Sequence, residues 1–228
     1  MEPSAGAKNG VNLHLDILPS QTKTALDFLS KQPWLKESGW YLAGGTALSL
    51  HAGHRKSFDL DFFTQQKGFG NNQLLSHFLA VKEWETNINK ENTVYGNLFS
   101  AKISFITNPL FIPKQNFTQY RSVNIIGPLD VAVMKVITVS QRGRKRDFYD
   151  LFWCAKNLEP LEGIVQKLPS QYPNIAHNYH HVLTSLVYFD DAESDPEPEI
   201  YFDAKWEEVK GYFNREVPRI AQKVMELN

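Results

Sequence analysis

Apolar residues in this chain follow two regimes. Between about residues 40 and 126 they come in short runs that alternate with polar positions; beyond that they recur every three or four residues. Period two is the mark of strands and period 3.6 the mark of helices. Pro19-Ser20 opens a helical pattern with Ala25, Leu26, Phe28 and Leu29, and Pro33 stops it. Residues 40–43 read as a short strand, 46–51 as a helix and 58–63 as a second strand. After a Gly68-Phe69-Gly70 loop, Asn71 or Asn72 caps a helix running to about Lys82. Residues 84–89, 94–99 and 101–107 alternate like antiparallel strands, and 123–126 is a further strand.

Gly127-Pro128 punctuates the chain, and residues 129–141 then read as a helix with Val131, Met134, Val136 and Ile137 apolar. A basic run, 142–146, reads as a loop before an apolar helix over 147–156. Two helices follow over 160–188, split by Pro169 and Pro173. Residues 190–199 are acidic, carry two prolines and read as a loop. The terminal helix, 206–227, is interrupted or kinked at Pro218. No internal repeat is visible. The reading is α+β: a small mixed sheet with an N-terminal helix over 1–126, then a helical half over 127–228.

Composition narrows the class. The chain has 228 residues, 42% hydrophobic and 21% charged, ordinary values for a globular enzyme. Its formal net charge of −1 supplies no global attraction to nucleic acid, so any RNA contact must come from a local patch. Cys154 is the only cysteine and sits in an apolar Leu-Phe-Trp-Cys-Ala setting, which reads as an inert core thiol in a reducing cytoplasm. No apolar run reaches the length of a membrane span, so no membrane role is expected. Residues 1–10 are small, polar and Gly-containing and read as a disordered tail.

Chemistry concentrates in YLAGGTALSLHAGHRKSFDLDFFT, residues 41–64. Asp59 and Asp61 are two apart in a strand, so both carboxylates project from one side, with Phe58, Leu60 and Phe62 on the other. Like charges so placed repel unless a cation sits between them. Mg²⁺ suits carboxylate oxygens and keeps positions open for substrate phosphates. The Gly44-Gly45-Thr46 turn opens a helix, whose free N–H groups and dipole favour phosphate. Ser57 lies on the strand face of the two aspartates, either satisfying a nearby turn or meeting a nucleotide phosphate. His51 and His54 lack a third ligand at zinc spacing and read as packing and hydrogen-bonding residues.

These residues resemble the nucleotidyltransferase superfamily that includes DNA polymerase beta, and more narrowly the AbiEii-like toxins of type IV toxin–antitoxin systems. The matching positions are Gly44, Gly45 and Thr46, with Thr in place of Ser, then His54, Arg55, Ser57, Asp59, Leu60, Asp61, Phe62 and Phe63. A second block matches downstream at Lys135, Arg142, Asp147 and Asp150. The superfamily often adds a third carboxylate from a neighbouring strand, but residues 101–106 hold no acid.

The resemblance implies Mg²⁺ (or Mn²⁺) on Asp59 and Asp61 and an NTP contacted by Gly44, Gly45, Thr46, Ser57 and Lys135. Lys135 and Asp150 complete the site; Lys135 otherwise reads as a snorkelling lysine. Asp150 either deprotonates the acceptor or orients Lys135. Asp147 shares its face one helical turn away, and either joins the site, caps its helix or pairs with Arg142. Arg142, Arg144, Lys145 and Arg146 are the candidate RNA contacts. The implied activity is transfer of NMP to an acceptor, an RNA such as a tRNA end, by the toxin of a pair with a cognate antitoxin. The alternatives are a non-catalytic nucleotide- or RNA-binding protein of the same fold, or a nucleotidyltransferase acting on a protein or small molecule.

Overall fold

The six short runs, joined by a strand over 118–120 that the sequence reading missed, pair into one seven-stranded mixed sheet, in a computed structural model that describes residues 12–226. Residues 1–10, read above as a tail, lie outside the described residues, as does Leu227. In the first half, α1 (Ser20–Leu29) and α2 (Pro33–Lys36) precede β1 (Tyr41–Ala43), α3 (Gly44–Ala52), β2 (Leu60–Thr64) and α4 (Asn71–Ser76). Then come β3 (Trp84–Lys90), β4 (Thr93–Leu98), β5 (Ala101–Thr107), β6 (Thr118–Tyr120) and β7 (Val123–Ile125). The second half holds α5 (Pro128–Arg142), α6 (Lys145–Asn157), α7 (Leu161–Gln166), α8 (Leu168–Gln171), α9 (Tyr179–Ser185), α10 (Asp190–Glu193) and α11 (Trp206–Glu226). The α+β reading is therefore correct.

The sheet order is β3-β4-β5-β2-β1-β7-β6. β1 and β2 are antiparallel, whereas β2 pairs with β5 and β1 with β7 in parallel. Ala43 lies opposite Asp61 and Asp61 opposite Ser104, so the start of α3 is held beside the β2 carboxylate. Along β2, Leu60 and Phe62 are buried in the core while Asp61 and Phe63 face a cleft. The core side is densely aromatic. The Phe105 ring centroid lies 5.1 Å from Phe62, 5.2 Å from Trp40 and 6.1 Å from Phe78.

Several sequence expectations change. Asp59 and Phe58 precede the strand, and Phe58 is half exposed rather than part of the apolar face. Helix α3 starts at Gly44, so the glycines are its first turn; Gly44 has φ of 67°, which a side chain would strain. Pro33 begins α2 as a first-turn proline instead of only ending α1, and α4 is shorter than read. Pro169 likewise falls at the start of α8, so residues 160–188 form three short helices. Acidic residues 190–193 form α10.

The basic run is not a loop. Arg142 ends α5, Gly143 turns the chain in the left-handed region, and Lys145 and Arg146 open α6. Helix α11 runs unbroken through Pro218, which is exposed. Val209, Phe213, Val217 and Ile220 form a buried stripe along it, and that packing outweighs the missing N–H, a loss worth about 3 kcal/mol in a helix interior.

Because Phe105 touches most of the ring cluster under the cleft floor, Phe105→Ala is expected to lower the unfolding free energy by about 3–5 kcal/mol. Urea denaturation monitored by Trp fluorescence measures it; a loss under about 1 kcal/mol would mean that the surrounding rings collapse into the space.

Candidate active site

A cleft of about 600 Å³ lies between the sheet and α5. Its floor carries Asp59, Asp61 and Ser104, and its wall is the α5 face formed by Val131, Met134, Lys135, Thr138 and Gln141. These wall residues recur at three- and four-residue spacing, so one stripe of a single helix supplies them. Gly44, Gly45, Ser57, Arg142 and Arg146 also line the cleft, whereas Thr46 and Asp150 do not.

The glycines are required by close approach. A Cβ on Gly44 would sit 2.9 Å from Asp61 Oδ2, and one on Gly45 would overlap the Arg55 guanidinium. Thr46 is buried, and its hydroxyl donates to the Asp59 carbonyl while lying 2.9 Å from Ser57 Oγ. Its side chain therefore positions the loop before β2 and does not face the cleft, which corrects the expectation of a direct phosphate contact. Ser57 holds that hydroxyl pair and also opens on the cleft.

Behind the wall lies a buried charge network. Asp150 accepts from Arg55 Nε at 2.6 Å and Nη2 at 2.9 Å, from His54 Nε2 at 2.8 Å, and pairs with Lys135 Nζ at 2.6 Å. Lys135 Nζ also donates to Asp147 Oδ1 at 2.5 Å, and Asp147 Oδ2 accepts from Arg142 Nε at 3.3 Å. Burial alone would raise both carboxyls, but Arg55 and Lys135 hold Asp150 well below the usual range, and Lys135 and Arg142 hold Asp147 below it. Burial lowers His54, so its ring is neutral near pH 7 and gives Asp150 its Nε2–H. Asp150 thus has no exposed surface from which to take an acceptor proton; of its two candidate roles, this geometry fits orienting Lys135.

The four basic candidates divide. Arg144 forms a two-point pair with Asp195, and Lys145 is buried with its ammonium on Glu197 and near the Trp206 ring. Those two cations are turned to the acidic 190–199 segment and away from the cleft, which corrects the picture of a solvated basic loop. Arg142 and Arg146 are half exposed at the cleft, with Arg146 Nη1 3.7 Å from Asp59 Oδ2.

Two residues of the site escaped the sequence reading. Arg55 stood inside the quoted motif with no role; the fold brings it from the end of α3 to both Gly45 and Asp150. Ser104 occupies the β5 position facing Asp61 and donates to its Oδ1 at 2.7 Å. It stands where a third carboxylate was sought, and only the strand register reveals it.

The donor set fits a divalent cation. Burial pushes the Asp61 carboxyl up, and Asp59 adds to the rise against the Ser104 hydrogen bond. A cation beside both carboxylates would offset that charge cost. Ser104 takes Oδ1 and leaves Oδ2 against the Gly44 backbone, so Asp59 and Asp61 can each offer an oxygen to the cleft.

The Asp-x-Asp pair at the start of central strand β2, with a glycine-opened helix beside it, is the arrangement that the resemblance to nucleotidyltransferases implies. The profile of the family described as nucleotidyl transferase AbiEii toxin, type IV TA system, matches residues 34–225. An uncharacterized protein of Aquifex aeolicus (strain VF5) is 36% identical over 188 residues, which are 78% of this chain and 86% of that protein. A solved structure from H. pylori, described as a nucleotidyltransferase, covers 92% of this chain and 99% of its own at 16% identity, with a TM-score of 0.52. The nucleotidyltransferase toxin MenT4 from Mycobacterium tuberculosis H37Rv covers 89% of each chain at 16% identity and a TM-score of 0.48. The chain belongs to the AbiEii nucleotidyltransferase toxin family.

The buried network sets an acid limit on stability. Asp147, Asp150 and His54 all have lowered values in the folded state, so each contributes stability above its unfolded value and loses it on acidification. Stability is expected to fall first below about pH 6.5, from His54, and further below about pH 4, from the aspartates. Asp150→Ala leaves Arg55 and Lys135 short of a partner and is expected to cost about 3–5 kcal/mol at pH 7. Denaturant midpoints measured from pH 8 to about pH 2.5 test both; a flat profile for the wild type would remove the network from the stability argument.

Proposed function

We propose that the protein transfers a nucleoside monophosphate from an NTP to a hydroxyl at an RNA end, such as a tRNA end, with Mg²⁺ or Mn²⁺ held by Asp59 and Asp61. The observation that carries this reading is the half-buried Asp61 carboxylate set against the Gly44 backbone at the start of α3, with Asp59 in the same cleft. Triphosphate oxygens meet the first N–H groups of α3 near Gly44 and Gly45 and the hydroxyl of Ser57. When bound, the cation neutralises phosphate charge and orients the triphosphate. Lys135 opens on the cleft beside Asp147 and Asp150, and its ammonium stabilises charge on the phosphoryl oxygens.

The acceptor oxygen forms a bond to the alpha-phosphorus as the bond to the bridging oxygen breaks. Pyrophosphate leaves, and the hydroxyl proton passes to water in the cleft. Residues 1–126 serve as the transferase core and 127–228 as the helical part that completes the site. The family's type IV description supports a cognate antitoxin as partner, and NTP and RNA substrates favour a cytoplasmic setting. One observation favours a protein or small-molecule acceptor instead: the ion pairs that withdraw Arg144 and Lys145 from the cleft.

Labelled-NTP transfer to total RNA and to total protein, with each NTP in turn, distinguishes these acceptors. Asp61→Asn keeps an acceptor for Ser104 while removing the charge, and is expected to lower transfer by on the order of 10²-fold or more with an unchanged or slightly higher melting point. Transfer at the wild-type rate would refute the metal assignment.

If Arg142 and Arg146 hold RNA phosphates, replacing both with Ser flattens the salt dependence of RNA binding by roughly 0.7–0.9 in log–log slope per lost contact. NTP affinity measured on the same variant serves as the control. An unchanged slope would take both arginines out of the RNA site.

A further inference from the structure

The cleft continues past the carboxylates onto the outer strands. Asp61 on β2 faces Ser104 on β5, Ser104 faces Tyr95 on β4, and Tyr95 faces Ile88 on β3. Residues directly opposite across a sheet share a face, so one row runs from the half-buried Asp61 carboxylate outward. At its outer end Tyr95 is 38% exposed and Ile88 39% exposed. The pairing of β3 with β4 shifts between Thr86 and Ile88, which leaves Asn87 as an extra residue, and both Asn87 and Ile88 line the cleft. A bulge of this kind re-aims side chains toward a site.

A cation stands beside the row. Lys102 lies two residues before Ser104 and opposite Asn97, and it is exposed. Arg55, Lys135, Arg142 and Arg146 also line the cleft, and each is within 4 Å of a carboxylate. Lys102 has no such partner among the described residues.

The sheet order assigns the two ends of the cleft. β1 and the start of α3 lie on one side of β2, and β5, β4 and β3 lie on the other. In-line displacement at phosphorus puts the leaving pyrophosphate and the attacking hydroxyl on opposite sides. With the leaving group at α3, the acceptor arrives over Ser104 and Tyr95. We infer that the Tyr95 ring stacks on the terminal base of the single-stranded RNA acceptor, with Lys102 on its backbone phosphate. This deepens the RNA reading above and depends on it. An aromatic face takes any base, whereas a lone cation over a strand takes the phosphate between bases.

The test uses the full chain and a short single-stranded RNA with 2-aminopurine as its 3′-terminal base. Wild type and Tyr95→Phe are expected to quench the probe, and Tyr95→Leu, which keeps apolar bulk on the strand, is not. In steady-state transfer Tyr95→Leu is expected to raise the RNA KM roughly 5- to 100-fold, the range of one lost base stack, with the NTP KM unchanged. Lys102→Gln is expected to raise the RNA KM and flatten its salt dependence.

A raised NTP KM with an unchanged RNA KM would overturn the inference and move the base of the donor nucleotide onto Tyr95. Unchanged quenching and KM in Tyr95→Leu, with wild-type transfer to RNA intact, would overturn the platform and leave the RNA reading standing. Transfer only to protein, with no quenching by wild type, would overturn both.

Discussion

Asp150, on α6, is wholly buried and accepts from two other segments: His54 and Arg55 after α3, and Lys135 on α5. A buried carboxylate is costly unless paired and hydrogen-bonded, and breaking such a set is worse than never having built it. The sheet half and the helical half are therefore bound to one relative placement at this point. Asp147 extends the set by sharing Lys135 and reaching Arg142 at the end of α5. The two buried acids are matched in charge by the two buried cations, Arg55 and Lys135, so neither half can shift without stranding a buried charge.

That placement makes the cleft. Arg55 is pulled against Gly45, where only a glycine leaves room for the guanidinium, and the first turn of α3 is thereby fixed beside Asp61. Thr46 ties the same turn to the loop that presents Asp59. The Asp61 carboxylate is thus held from behind by the Ser104 hydroxyl and the Gly44 backbone, and Asp59 through its own carbonyl, while the ammonium of Lys135 is held from behind by two aspartates. Charge on the floor and charge on the wall face each other across the cleft.

The acidic segment after α9 serves the same end from outside. Asp195 and Glu197 take Arg144 and Lys145 at the start of α6, and Glu199 takes Lys56. Ile200 bridges to the Arg55 backbone. A stretch that by composition reads as a solvated loop is a strap over the junction of the two halves. It neutralises half of the basic run and leaves Arg142 and Arg146 of that run open on the cleft.

The sequence by itself determined six of the seven strands, β6 excepted, most helices and the acids that line the cleft, because each depends on local pattern. Period two marked β2, β4 and β5, Gly-Gly marked the start of α3, and Asp59-x-Asp61 sits at a spacing that puts both carboxylates toward the cleft. Lys135 and Asp150 were legible only through resemblance, since a lysine and an aspartate on apolar helices carry no spacing signal of their own. Tertiary structure decided the rest. Whether Thr46 faces a phosphate or the Asp59 carbonyl depends on where α3 lies against the following loop. Ser104 gained meaning from parallel register, Arg55 from a contact 95 residues away, and Lys145 lost its solvent to an acidic segment 52 residues distant. Those partners are set by long-range packing, which no local period encodes.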